Sequence, residues 1–170
     1  FVPPDGDRGY FRLRIAPKEN AEIPVLPKEV MFVLDASQSI LQRKLDDGAE
    51  GIKGMINLLR PDDRFNVIVF RDTPSQFQPQ SVAASAANKT AAMAFVTGIR
   101  SSGETDVYRA LDAAINNPKA PGMPSMLVLV SDGRPTTGML DRRTIINDLT
   151  DDNTSRRSVY AFGGGNTVNG

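Results

Sequence analysis

The chain has 170 residues, enough for about one domain with a real core, and its 40% apolar and 24% charged content is that of a soluble globular protein. Twenty Lys and Arg balance twenty Asp and Glu, so there is no electrostatic case for nucleic acid or an anionic membrane, and no apolar run approaches the roughly 20 residues of a membrane span. Cysteine and histidine are both absent, which removes disulfides, thiolate chemistry, the usual zinc sites and every histidine-based triad.

The chain starts at Phe1 with no visible signal peptide, and it reads as a piece of a longer protein. Residues 1–29 stand apart, with five of the twelve prolines: Pro3, Pro4, Pro17, Pro24 and Pro27. Within them Phe11, Leu13 and Ile15 alternate with Arg12 and Arg14, the pattern of a half-buried strand. Pro17 to Pro27 reads as an extended linker.

From residue 30 the pattern becomes strand, helix, strand. Val30 to Leu34 is continuously apolar, as a strand buried on both faces requires. Leu41, Leu45, Gly48, Ile52, Met55, Ile56 and Leu59 recur every three or four residues, so 40–60 is an amphipathic helix stopped by Pro61. The glycines Gly48, Gly51 and Gly54 fit close packing of that helix; they do not follow a strand as a phosphate loop would. Phe65 to Phe70 is a second buried strand, and 72–80 a turn with a short edge strand. Helices follow at 83–99 and 105–116, a third central strand at 125–131, a helix at 139–150 and a last strand at 158–162 before Gly163-Gly164-Gly165. Such alternation predicts an α/β fold, a doubly wound and mostly parallel sheet flanked by helices.

In a doubly wound sheet, ligands bind beyond the carboxyl ends of the strands. Asp35 ends the first of these strands and Asp132 follows another; Ser37 and Ser39 lie on the way into the first helix, and Thr105 precedes a later one. These are oxygen donors only, which favours magnesium, with calcium or manganese as alternatives. Three hydroxyls, two carboxylates and water complete such a shell and leave one position open to a carboxylate from a partner. Taken singly, Asp35 and the two serines are equally good helix caps, and Asp132-Gly133 is more often a plain turn. Asp72 and Asp106 read as turn and helix-start residues.

Asp35-x-Ser37-x-Ser39, Thr105 and Asp132 resemble the metal-ion-dependent adhesion site of von Willebrand factor type A domains, over about 30–165. The resemblance implies a Rossmann-like fold in which Ser37, Ser39 and Thr105 coordinate directly, and Asp35 and Asp132 directly or through water. Gly9-Tyr10-Phe11-Arg12-Leu13, Leu26-Pro27-Lys28-Glu29-Val30 and Ser131-Asp132-Gly133-Arg134-Pro135 are similar to the inter-alpha-trypsin inhibitor heavy chain branch, where a vault-type domain precedes the A domain. On that likeness 1–29 ends a vault-type domain, 30–170 is an A domain lacking its last helix and strand, and the absence of cysteine suggests a bacterial member. Gln38 replaces a usual glycine, and Glu104 another, so both stand at the rim of the site.

The function implied is a non-enzymatic, cation-dependent adhesion module of a surface, secreted or periplasmic protein, binding an acidic side chain of a protein partner. An intracellular A domain serving an ATP-driven metal-insertion or remodelling complex is the alternative, and the strand at 10–15 favours the first. A hydrolase with Asp35 as nucleophile would want a second Asp where Ser37 stands, and no histidine base exists. Without a further strand, 158–162 would be an exposed sheet edge, open to residues 10–15 or to a second copy of the chain.

Overall fold

The structure is a computed structural model that describes residues 24–132 and 135–163. The expected strand at 10–15, most of the Pro-rich linker, Gly133, Arg134 and the glycines 164 and 165 lie outside the described residues.

Among the described residues six strands form one sheet: β1 (Glu29–Asp35), β2 (Arg64–Phe70), β3 (Pro74–Gln76), β4 (Val82–Ala83), β5 (Ser125–Ser131) and β6 (Ser158–Gly163). The described helices that connect them are α1 (Gln42–Leu58), α2 (Ala86–Val96), α3 (Val107–Ile115) and α4 (Arg142–Asp152). The main path runs β3-β2-β1-β5-β6, with β4 also paired to β2. β1 pairs in parallel with both β2 and β5, and β5 in parallel with β6; the short β3 and β4 run antiparallel to β2. The chain leaves β1 towards one side of the sheet and returns later to the other, so the order reverses between β1 and β5. This is the doubly wound, Rossmann-like architecture expected from the alternation of strands and helices.

The continuous apolar run of β1 has the consequence its sequence demands. Val30, Phe32 and Leu34 face a core closed by Leu45, Ala49, Ile52 and Ile56 of α1 and by Ala92 and Val96 of α2. Met31 and Val33 face the other, closed by Ala110, Leu111, Ala114 and Ile115 of α3 and by Ile145 and Leu149 of α4. A strand with period-two side chains is thus buried on both faces. Gly48 packs close to the sheet, since a Cβ there would meet Leu34 and Val130 at 3.3 Å; at Gly51 and Gly54 a Cβ would meet nothing, so the close-packing role falls to Gly48 alone.

Three helices start later than their apolar periodicity suggests, and for the same reason. Ser85, Asp106 and Asp141 act as N-caps, their side chains accepting from the amides of Asn88, Arg109 and Thr144. Residues 82–83 therefore belong to a strand, and Thr105 stays outside its helix.

Among the described strands, β6 stands at one edge of the sheet. All six of its residues are exposed, with Val159, Tyr160 and Phe162 about half open to solvent. Beside it, α3 and α4 leave an apolar groove of about 260 Å³ lined by Leu111, Ile115, Ile145, Ile146 and Val159.

At the opposite end of the sheet from the strand carboxyl termini lies a buried ion pair. Glu29 opens β1 with no exposed surface, and Arg157 reaches it at 2.6 Å. Glu29 also accepts from Ser81, Ser125 and the Ala120 amide, while Arg157 donates to the carbonyls of Ile115 and Asn117. Burial works to raise the Glu29 pKa, but those hydrogen bonds and the Arg157 charge outweigh it and hold the carboxyl below its usual range.

Candidate metal centre

The order reversal between β1 and β5 puts two strand ends side by side. Asp35, the last residue of β1, is fully buried, and Ser131, the last of β5, donates to its Oδ2 at 2.7 Å. The Ser37 amide donates to Asp35 Oδ1 at 2.9 Å, which folds the loop back over the strand end. That turn brings the hydroxyls of Ser37 and Ser39 within 2.9 Å of each other. Ser37 is buried, whereas Gln38 and Ser39 are exposed. Asp132 follows Ser131, half-buried, and its charge is felt at Asp35.

The segment carrying Thr105 is bound to this loop through its backbone. The Gln38 amide donates to the Gly103 carbonyl at 3.0 Å, and the Ser102 amide to the Ala36 carbonyl at 3.0 Å. Gly103 takes φ of +74°, a turn that glycine makes at no steric cost. Thr105 in turn is tied to the stretch after Asp132. Its amide donates to Thr136 Oγ1 at 2.8 Å, and the Thr136 amide returns a bond to its carbonyl at 3.0 Å. Three segments distant in sequence therefore meet beyond the carboxyl ends of β1 and β5. Glu104, next to Thr105 in the chain, is exposed.

Two observations bear on whether a cation fits. Thr105 Oγ1 is buried and has no hydrogen-bond partner, although the residue is only 1% exposed. A buried hydroxyl left unpaired costs about 1–3 kcal/mol, so such an atom calls for a ligand. Burial also pushes the Asp35 carboxyl above its ordinary range, against the hydrogen bonds from Ser131 and Ser37 and with the Asp132 charge adding to the rise. A desolvated carboxylate beside a second negative charge is stabilised by positive charge. Among the described residues no three carboxylates gather into a cation cage, so a set built here relies on hydroxyl oxygens. Oxygen-only donors of this kind suit a hard divalent ion. The donor set fits such an ion.

Sequence reasoning singled out Asp35, Ser37, Ser39, Thr105 and Asp132 without the groups that hold them. In the sequence Ser131 shows itself only as a strand end and as part of a family-like run, and Thr136 does not stand out at all. A hydroxyl one residue before Asp132 was the available signal for the first; nothing local marks the second.

Comparison with known proteins bears on the family and the fold. The sequence profile of the von Willebrand factor type A domain matches residues 28–170. Inter-alpha-trypsin inhibitor heavy chain H4 of Homo sapiens is 34% identical over 167 residues, covering 94% of this chain and 18% of that protein. Heavy chain H1 of Bos taurus is 30% identical, with the same coverage. The chain thus spans about a fifth of the curated relatives it matches. Among solved structures, a von Willebrand factor type A protein from Catenulispora acidiphila superposes with a TM-score of 0.73 at 18% identity, covering 82% of this chain and 34% of that one. The manganese-loaded TRAP protein of Plasmodium vivax gives a TM-score of 0.61 at 21% identity, covering 83% of this chain and 60% of that one. At these identities the structural likeness establishes the fold.

Proposed function

The chain belongs to the von Willebrand factor type A family, and from that membership we propose that Asp35, Ser37, Ser39, Thr105 and Asp132 hold one divalent cation through which the domain binds an acidic group of a protein partner. The observation that carries this reading is the buried, unpartnered hydroxyl of Thr105 beside a loop that also presents Ser37 and Ser39. A magnesium or manganese ion bound there supplies a Lewis-acidic position that takes up a carboxylate oxygen.

The residues divide the work. Asp35 supplies charge from a fixed position, held by Ser131 and the Ser37 amide. The neutral hydroxyls satisfy the ion without cancelling its charge. Gln38 and Glu104, both exposed, flank the approach: the amide offers an incoming partner a hydrogen bond, and the carboxylate repels an acidic one. The domain acts by binding and needs no bond to break, in keeping with relatives named as inhibitor heavy chains. It works as part of a longer protein outside the cell, at its surface or in the periplasm. No described helix is long and apolar enough to cross a membrane.

Calorimetric titration with magnesium, calcium and manganese, on the wild type and on Asp35→Ala, tests the proposal. The wild type should bind at least one of the three at millimolar concentration and the variant none. No binding by the wild type ends the adhesion-site reading.

The open edge at β6 supports a second contact, the addition of a strand from another copy of the chain. A monomeric mass by sedimentation, unchanged between wild type and Phe162→Lys, would exclude it.

A further inference from the structure

The segment that carries Thr105 is gripped by two side chains that supply no ligand. Gln42, the first residue of α1, accepts from the Ser101 amide at 2.9 Å and donates to the Ile99 carbonyl at 2.9 Å. One amide side chain thus satisfies a donor and an acceptor of the same strip of backbone, as a neighbouring strand would. Arg71, just past β2, holds the segment further along. Its Nη2 donates to the Arg100 carbonyl at 2.7 Å, and its own carbonyl accepts from the Asp106 amide at 3.0 Å. Gly103 lies on its stem, since a Cβ there would sit 3.5 and 3.6 Å from Arg71 Cβ and Cδ. Residues 99, 100, 101 and 106 are therefore fixed, and Thr105 lies within the fixed span.

We propose that Gln42 and Arg71 are positioning residues that set the cation affinity of the centre by holding residues 99–106 in place before the ion arrives. The inference rests on the proposed cation site. Its physical basis is pre-organisation: a segment already ordered loses little conformational freedom on binding, whereas a loose one charges that loss to the affinity. Gln42 also links the two ligand segments, because it begins the helix that the Ser37–Ser39 loop enters.

The test uses manganese as the probe and the variants Gln42→Ala, Arg71→Met and Arg71→Lys. Lys89→Ala serves as a control. Lys89 makes the same kind of bond, from its ammonium to the carbonyls of Asn57 and Leu59, at the far end of α1. Manganese affinity is measured by calorimetry, the melting midpoint without cation by circular dichroism, and the exchange of amides 99–106 by mass spectrometry. Gln42→Ala and Arg71→Met should each weaken manganese binding roughly three- to tenfold, the equivalent of one lost hydrogen bond, and speed exchange across 99–106. Arg71→Lys, which keeps a donor for the Arg100 carbonyl, should recover most of the affinity. Lys89→Ala should lower the melting midpoint and leave the affinity as it was. If the wild type binds manganese and the first two variants bind within about twofold of it, the inference is wrong while the site stands. If Lys89→Ala weakens binding equally, general stability is the cause and the inference is again wrong. A wild type that binds no manganese overturns the site and the inference together.

Discussion

Replacing Thr105 by valine separates the cost of the centre from its use. Valine keeps the shape of the side chain and exchanges the buried, unpartnered hydroxyl for a methyl. An unsatisfied buried hydroxyl costs about 1–3 kcal/mol. Without cation the variant should therefore be the more stable protein. For a domain of this size each kcal/mol moves the midpoint by about 2–4 °C, so a rise of a few degrees is expected in a chelator. With cation the order should reverse. An ion at a thousand times its dissociation constant adds about 4.1 kcal/mol to the wild type, more than the hydroxyl costs, and the variant, one ligand short, should gain far less. Thermal melts of both proteins in EDTA and in excess manganese read this crossing directly. A variant that is less stable than the wild type in EDTA, and that keeps the full manganese shift, would show that the hydroxyl is neither orphaned nor a ligand.

Arg157→Met strands the buried carboxylate of Glu29 and should cost about 3–5 kcal/mol at pH 7, read as a lowered urea midpoint. Because the folded pKa of Glu29 is depressed, its stabilising contribution is present above the ordinary value of 4.5 and fades as pH falls below it. In the variant the stranded carboxyl gains from taking up a proton, so the gap to the wild type should narrow between pH 7 and pH 4; a constant gap would refute the assignment. Gly138→Ala should destabilise by about 1–3 kcal/mol, because Gly138 has φ of +70° and a Cβ there would come within 2.5 Å of Asp106 Oδ2. Asp106 caps α3, so faster amide exchange at Val107 to Ala110 should accompany the loss; unchanged exchange would mean that the loop yields instead.

What could be read from the sequence follows the range of the interactions. Val30 to Leu34 announces a central strand because burial on both faces leaves no polar position in the run. Asp35, Ser37 and Ser39 stand within five residues, so their mutual geometry is set by one loop. Thr105 depends on bonds from Gln42, Arg71 and Thr136, drawn from three other parts of the chain, and no local pattern reveals them. The helix starts at 86, 107 and 142 were blurred because an apolar periodicity continues through the cap, whereas the cap itself is one polar side chain. Glu29 is the least legible of these residues. A carboxylate after a Pro-rich stretch looks like surface, and the arginine that makes it an interior residue comes 128 positions later.

That separation sets a timetable for the growing chain. At about 5–20 residues per second, roughly 6 to 26 seconds pass between the synthesis of Glu29 and that of Arg157. Until then the Glu29 carboxylate lacks the cation that its buried position calls for. Closing the sheet around Glu29 before Arg157 has emerged would bury an unpaired carboxylate, a costly arrangement.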